Sequence, residues 1–452
     1  MKTTPALFNP ELQRNLWQEF TPHRLIGGVL ILGILAWLSY VTNFKNSFNW
    51  ITYAIIFLWG IKSASESIRE ELQHGTWDYQ RMSTLSPFKF TWGKLWGATS
   101  YTWFLAGLSF IGFISLGIFF QKPLSLLMYQ CFLYILCGLF GQYTAMALSL
   151  NAIQFGRDKH YSFRYFVAAL LFSNMLFFTL VDYQNNLNIN LDTIYWYQFK
   201  FTSHSFFLVY TVILLLWAML GCYRLIRTEF QYKNLPYVWL AFCLFWIIYM
   251  TGFQPDIFKP FLNTLNPTSV PKLNLSSKLY LAFLTASALV YISLFSEKYQ
   301  SVTYKKISSL FGRKQYISGL ALLPRWVIAG ICFIALYIGL VCFGSISIDL
   351  PTENNRTIYG YVFGSTTLLL IARDILLVHY LYFSTQPKRA VLASILYLAL
   401  LYAVLPVLFK AMHLELLNKM LIMSFIEVPA IAWLGLIAQV GVLGWLVWKR
   451  FR

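Results

Sequence analysis

The sequence predicts an all-α polytopic helical membrane protein, with about twelve transmembrane helices in two parallel six-helix repeats. Three observations predict it. Hydrophobic residues make up 58% of the 452-residue chain and aromatics 19%, while 12% are charged. The mean hydropathy is +0.58, more apolar than a soluble fold of this length needs. Apolar runs of about 20 residues recur, each long enough to cross a hydrocarbon core. Finally, Lys and Arg gather in alternate connections.

Taken in order, the expected spans are residues 25–42, 49–61, 98–120, 124–150, 165–182, 204–223, 236–253, 279–295, 326–346, 358–372, 391–409 and 429–448. The second and tenth are short and are expected to extend into flanking polar residues; the alternative, if one of these is interfacial, is ten or eleven spans. Starting inside and alternating puts 25 Lys and Arg on inner segments and nine on outer ones. That bias predicts both termini on the cytoplasmic side. It also accounts for the net charge of +18 through basic loops facing anionic lipid. No aromatic-basic module points to nucleic acid.

Before the first span, Leu12, Leu16 and Phe20 recur every four residues with Trp17 beside them, the pattern of an interfacial helix. Pro22 ends it. Residues 1–24 are polar and lack a small-residue cleavage site, so no signal peptide is expected. The six cysteines fall in or beside apolar spans, and neither a disulfide framework nor a Cys/His metal site is expected.

The longest polar interval between clear spans is Lys62–Lys94. Lys62, Arg69, Arg81, Lys89 and Lys94 stand against Glu66, Glu70, Glu71 and Asp78. Lys62–His74 lacks Gly and Pro and reads as a helix, with Glu66 three residues before Arg69 on one face. Gly75 supplies a C-terminal cap. Thr76 caps a second short helix, with Asp78 in its first turn and three residues before Arg81. Ser86-Pro87 opens a third helix that leads into the membrane. The bland reading is a solvated loop; the sharper one is a docking surface for a soluble partner.

Residues 1–230 and 231–452 read as two six-span halves. Pro22 and Pro236 each follow an amphipathic polar lead. The interval 62–94 has a counterpart in 296–325, and Arg157-Asp158 after span four is matched by Arg373-Asp374 after span ten. The shared order suggests a parallel duplication. Arg373 and Asp374 are expected as an interfacial pair at a helix end; a buried pair in an extended span ten is the functional alternative. The loop 254–278, with four prolines, is expected to be an ordered connector, with a re-entrant or lid element as the alternative.

The chain has no GxxxxGK[ST], HExxH or GxSxG. Intramembrane acids are scarce, which argues against an ion-coupled carrier. An embedded enzyme acting on lipid or lipid-linked substrates has only the scattered Asp182, Asp192, Asp256, Asp349 and Glu353 to draw on.

The stretch from Arg69 through Glu70, Glu71, Gly75, Thr76, Asp78, Leu85, Pro87, Gly93 and Lys94 resembles the loop between spans two and three of type-2 ABC exporter permeases. The amphipathic segment 9–21 matches the helix that precedes span one in that family. The resemblance implies a transmembrane subunit without its own ATPase site, in a bacterial inner membrane. Its segment 62–94 would dock a separate ATP-binding cassette subunit, expected in two copies, with ATP and Mg held by that partner. Glu66 and Arg81 join the coupling set; Arg157, Asp158, Arg373 and Asp374 form a candidate second cytoplasmic contact. The family usually has six spans per chain, and the duplication accounts for twelve. The interval 296–325 lacks the Gly-Thr and Gly-Lys elements.

Overall fold

The computed structural model describes residues 9–42, 47–82, 85–154, 162–185, 193–232, 234–253, 275–297, 299–343, 345–348, 356–384, 390–414, 417 and 430–451. In chain order its helices are α1 Pro10–Glu19, α2 Pro22–Val41, α3 Ser47–Tyr53, a π-helical stretch Ala54–Gly60, α4 Ile61–Gln73, α5 Trp77–Arg81, α6 Pro87–Ala98, α7 Ser100–Phe119, α8 Leu124–Gln154, α9 Ser162–Asn185 and α10 Ser203–Glu229. They continue as α11 Tyr237–Gly252, α12 Leu275–Phe295, α13 Ser301–Gly312, α14 Tyr316–Ala321, α15 Arg325–Phe343, α16 Gly360–Tyr382, α17 Ala390–Ala399, a second π-helical stretch Leu400–Val404, α18 Leu405–Ala411 and α19 Ala430–Phe451.

Nine of these helices are long and apolar enough to cross a membrane: α2, α7, α8, α10, α12, α15, α16, the run from α17 through α18, and α19. The other three expected spans also fall on helices, but shorter or interrupted ones. Span two runs through the π-helical stretch into α4. The apolar part of α9 is Phe166–Phe178, and α11 is Tyr237–Gly252. Side chains such as Ile26, Ile31 and Trp37 project outward from α2, as a lipid-facing helix requires.

Two hairpins depart from the all-helical expectation: β1 Thr193–Trp196 with β2 Phe199–Thr202, and β3 Ser345–Ile348 with β4 Arg356–Tyr359. In the second, Ser345 pairs with Tyr359 and Ile348 with Arg356, antiparallel. Val, Ile, Thr and Tyr are β-formers, but runs of four residues between apolar spans leave too short a pattern to read.

The chain divides into two compact units. The first holds Met1–Thr193 and Phe201–Asn234; the second holds Ile194–Lys200 and Leu235–Arg452. Phe57, Ile61, Ile68, Phe90, Leu133 and Met146 lie in the core of the first. In the second, Phe283 and Phe333 stack at 4.3 Å between ring centres, with Val290 and Leu340 buried around them. Five cysteines are buried and Cys342 is exposed; all are free thiols.

Arg157, Asp158 and most of 254–278 lie outside the described residues.

Candidate functional site

The polar interval folds as a helical tip standing on α4 and α6. Helix α4 ends where Gly75 turns to φ +68°. The Thr76 N–H reaches the Glu71 carbonyl at 2.9 Å, and the Gly75 N–H reaches Leu72 at 3.4 Å. This is the Schellman pairing, and a residue without Cβ adopts its left-handed position at least cost. Thr76 occupies the N-cap position of α5, but its hydroxyl donates back to the Glu71 carbonyl at 3.3 Å and caps nothing. Ser86 behaves as expected: its hydroxyl accepts the Lys89 N–H at 3.4 Å and Pro87 takes the first turn of α6.

The charged residues of the interval divide by burial. Glu70, Asp78 and Gly75 are exposed, and Glu66, Arg69, Arg81 and Pro87 are half-buried. Glu71 and Lys94 retain only 6% and 2% of their surface. Both are turned inward, to α1. Glu71 pairs with Arg14 and with Lys94. Glu11 meets Arg14 at 2.8 Å and Lys94 at 3.5 Å. Two carboxylates and two cations thus close a neutral cluster among α1, α4 and α6, which offsets the desolvation each charge suffers alone.

Gly93 is buried for a related reason. Asn9, the N-cap of α1, accepts the Glu11 N–H at 3.1 Å and donates to the Lys89 carbonyl at 2.6 Å. Its side chain occupies the space where a Cβ on Gly93 would stand. One turn on, a Cβ on Gly97 would meet Asn15 Cβ at 2.6 Å. The two glycines let α1 lie against α6. The sequence reading missed Asn9, Glu11, Arg14 and Asn15. Its available signal was the i, i+3 pair Glu11–Arg14 opposite the apolar stripe.

The root of the tip is aromatic. Trp77 packs edge-on against Phe90 at 6.0 Å, and Phe90 against Phe230 at 5.2 Å. Arg81 pairs with Asp78 at 3.4 Å and donates through Nε to the Glu229 carbonyl at 3.0 Å. Beyond this root, Tyr79 and Met82 each expose 74% of their surface, with Glu70, His74 and Asp78 beside them in the sequence and also exposed.

In the second unit, Arg373 and Asp374 correct the expectation of an interfacial pair. They lie well within α16, 1% and 0% exposed. Arg373 Nε donates to Asp374 Oδ1 at 2.9 Å and Nη1 to Gln439 Oε1 at 3.2 Å. Asp374 Oδ2 accepts the hydroxyls of Tyr291 at 2.6 Å and Tyr402 at 2.7 Å. The Arg373 guanidinium also lies 5.0 Å from the centre of the Tyr402 ring. Burial is tolerated because four helical segments supply partners. Those partners are distant in sequence, so the pair read as a helix end.

Near the end of the same helix, His379 Nε2 meets the Tyr304 hydroxyl at 2.7 Å and Nδ1 the Ile375 carbonyl at 2.7 Å. Glu297, just beyond α12, holds Arg325 at 3.1 Å and accepts its backbone N–H at 2.9 Å. Of the acids an embedded enzyme would draw on, Asp192, Asp256, Asp349 and Glu353 lie outside the described residues.

These helices define a polytopic helical membrane protein. No family model, curated protein or solved structure matches the chain.

Proposed function

We propose that this chain is the membrane-spanning permease subunit of an ATP-driven exporter, working with a separate ATP-binding subunit. The observation that carries the reading is the tip Glu70–Met82. It presents Tyr79 and Met82 outward together with Glu70 and Asp78. Exposed aromatic and Met side chains beside charges are the composition of a protein-binding patch. The cluster of Glu11, Arg14, Glu71 and Lys94, buried except at the half-exposed Arg14, ties the base of that tip to α1 and α6. A push on the tip is then passed on as a movement of helices rather than absorbed by a loop. Glu71, Gly93 and Lys94 act in this reading as the brace, and Tyr79, Met82, Glu70 and Asp78 as the contact. Twelve spans, a six-plus-six duplication, cytoplasmic termini and a bacterial inner membrane belong to the same proposal.

The experiment is purification of the tagged chain in mild detergent, identification of co-purifying proteins and an assay of ATP hydrolysis. A stoichiometric ATP-binding partner, lost together with hydrolysis on Tyr79→Arg and Met82→Arg, is the expected result. Retention of the partner by a well-folded double variant rules out the tip as the docking surface.

A second reading is an ion-coupled carrier, favoured by one observation: Asp374 is an acid buried within a span, where such residues mark ion and proton pathways. Transport that collapses with the proton or sodium gradient, with no ATPase present, selects it.

A further inference from the structure

We propose that a cavity beside Asp374 in the second unit binds an uncharged, hydroxyl-bearing lipid. The cavity has a volume of about 360 Å³ and is lined by Ser287 and Tyr291 of α12, Thr367 and Leu370 of α16, and Leu398 and Tyr402 of the α17 run. The cavity is an open groove rather than a sealed void, so an alkyl chain can lie along it. The helices around it belong to the membrane-crossing set, and a ligand reaches it from the bilayer.

The polar groups at the cavity select the headgroup. The hydroxyl hydrogens of Tyr291 and Tyr402 are both committed to Asp374 Oδ2, at 2.6 and 2.7 Å. The Ser287 hydroxyl is committed to the Leu284 carbonyl at 2.6 Å. With their hydrogens engaged, these three oxygens offer lone pairs only. A ligand must therefore bring the donor. Charge is the second filter. Asp374 is offset by Arg373 at 2.9 Å, so an ionic headgroup loses its hydration without meeting an opposing charge. A fatty-acid carboxylate adds an acceptor where acceptors already face it. An alcohol with an apolar chain meets all three conditions: donor, neutral and oily. The site is independent of the ATPase-partner reading, since none of its residues belongs to the tip.

The test is photoaffinity labelling of the full chain in phosphatidylcholine nanodiscs, using diazirine-bearing dodecanol. Diazirine-bearing dodecane and dodecanoate serve as comparisons, and adducts are mapped by mass spectrometry. Adducts are expected at the lining of α12, α16 and α17. The alcohol should exceed the alkane there by about five-fold, the scale of one net hydrogen bond. Excess unlabelled dodecanol should compete the adduct away in the unaltered protein, and Leu398→Trp, which fills the cavity, should abolish it. Equal labelling by alkane and alcohol overturns the proposal, as does stronger labelling by the carboxylate. Failure of unlabelled dodecanol to compete overturns it without recourse to any variant.

Discussion

Glu71 shows how a residue's type and its setting assign different roles. In the sequence it is one carboxylate of an adjacent pair, indistinguishable from Glu70. In the fold Glu70 meets solvent, and Glu71 is buried against Lys94 and pairs with the half-exposed Arg14. Removing one partner from a buried ion cluster leaves a charge uncompensated and costs roughly 3–5 kcal/mol. Lys94→Met should therefore lower stability by that order in denaturant titration of the detergent-solubilised chain. Glu70→Ala should change it by less than about 0.5 kcal/mol, as exposed substitutions do. Equal effects would mean that the cluster does not hold α1 in solution. Glu297 gives a pH-dependent counterpart. Burial pushes its carboxyl above the ordinary value of 4.5, against the opposing pull of Arg325. The folded state then binds this proton more tightly than the unfolded state, so stability falls as pH rises. The loss begins at the ordinary carboxylate value and levels off above the raised one. Thermal unfolding of Glu297→Gln against the parent, from pH 4 upward, should show the parent losing ground across that window. A constant difference would remove Glu297 as its source.

At the scale of elements, the tip was legible because its signals are local. A helix without Gly or Pro, a Gly cap and Ser-Pro at the next start all act within a few residues, and α4, α5 and α6 begin and end close to where those signals put them. The face each helix turns inward was not legible, because Glu71 and Lys94 are buried by α1, more than 50 residues upstream. The same holds for α16. A span placed at 358–372 stops one residue short of Arg373, and the residues that extend the span inward, Tyr291, Tyr402 and Gln439, come from elements that no local pattern links. The tip also carries an element-scale prediction. Gly75→Ala forces a Cβ into a left-handed position, at about 1–2 kcal/mol, in a turn with open space around it. The expected result is a modest loss of stability with ATPase coupling retained, in contrast to Tyr79→Arg with Met82→Arg, where coupling is lost and stability stays unchanged. If Gly75→Ala alone abolishes coupling without loss of fold, the turn geometry and not the exposed side chains carries the contact.

For the whole molecule the number of crossings decides which surfaces share a side of the membrane. Nine helices among the described residues are long and apolar enough to cross. Taken alone, an odd number of crossings leaves the termini on opposite sides. The remaining three expected spans fall on the helix interrupted at Ala54–Gly60, on α9 and on α11. If these cross as well, the count is twelve and both termini lie on one side. The charge pattern favours twelve: with α9 and α11 crossing, 62–94, 224–233 and 298–325 share a face with the basic C-terminal residues Lys449, Arg450 and Arg452, and a crossing at span two adds Arg14 and Arg24 to that face, as the positive-inside bias requires. The π-helical stretch at Ala54–Gly60 does not bar a crossing, since its backbone remains hydrogen-bonded within the segment, the condition a bilayer imposes. A fluorescent protein that matures only in the cytoplasm, fused in turn to each terminus, reads the parity directly. Fluorescence from both fusions is the expected result; it places the basic helix α13, four crossings from the C-terminus, on the side where a soluble ATPase resides, and with all twelve spans crossing the tip at Tyr79 lies there too. Fluorescence from one fusion alone means an odd count. With the nine crossings alone, 62–94 and 298–325 lie together on the face of the C-terminus and opposite the N-terminus, so a cytoplasmic partner reaches the tip only if the fluorescent fusion is the C-terminal one.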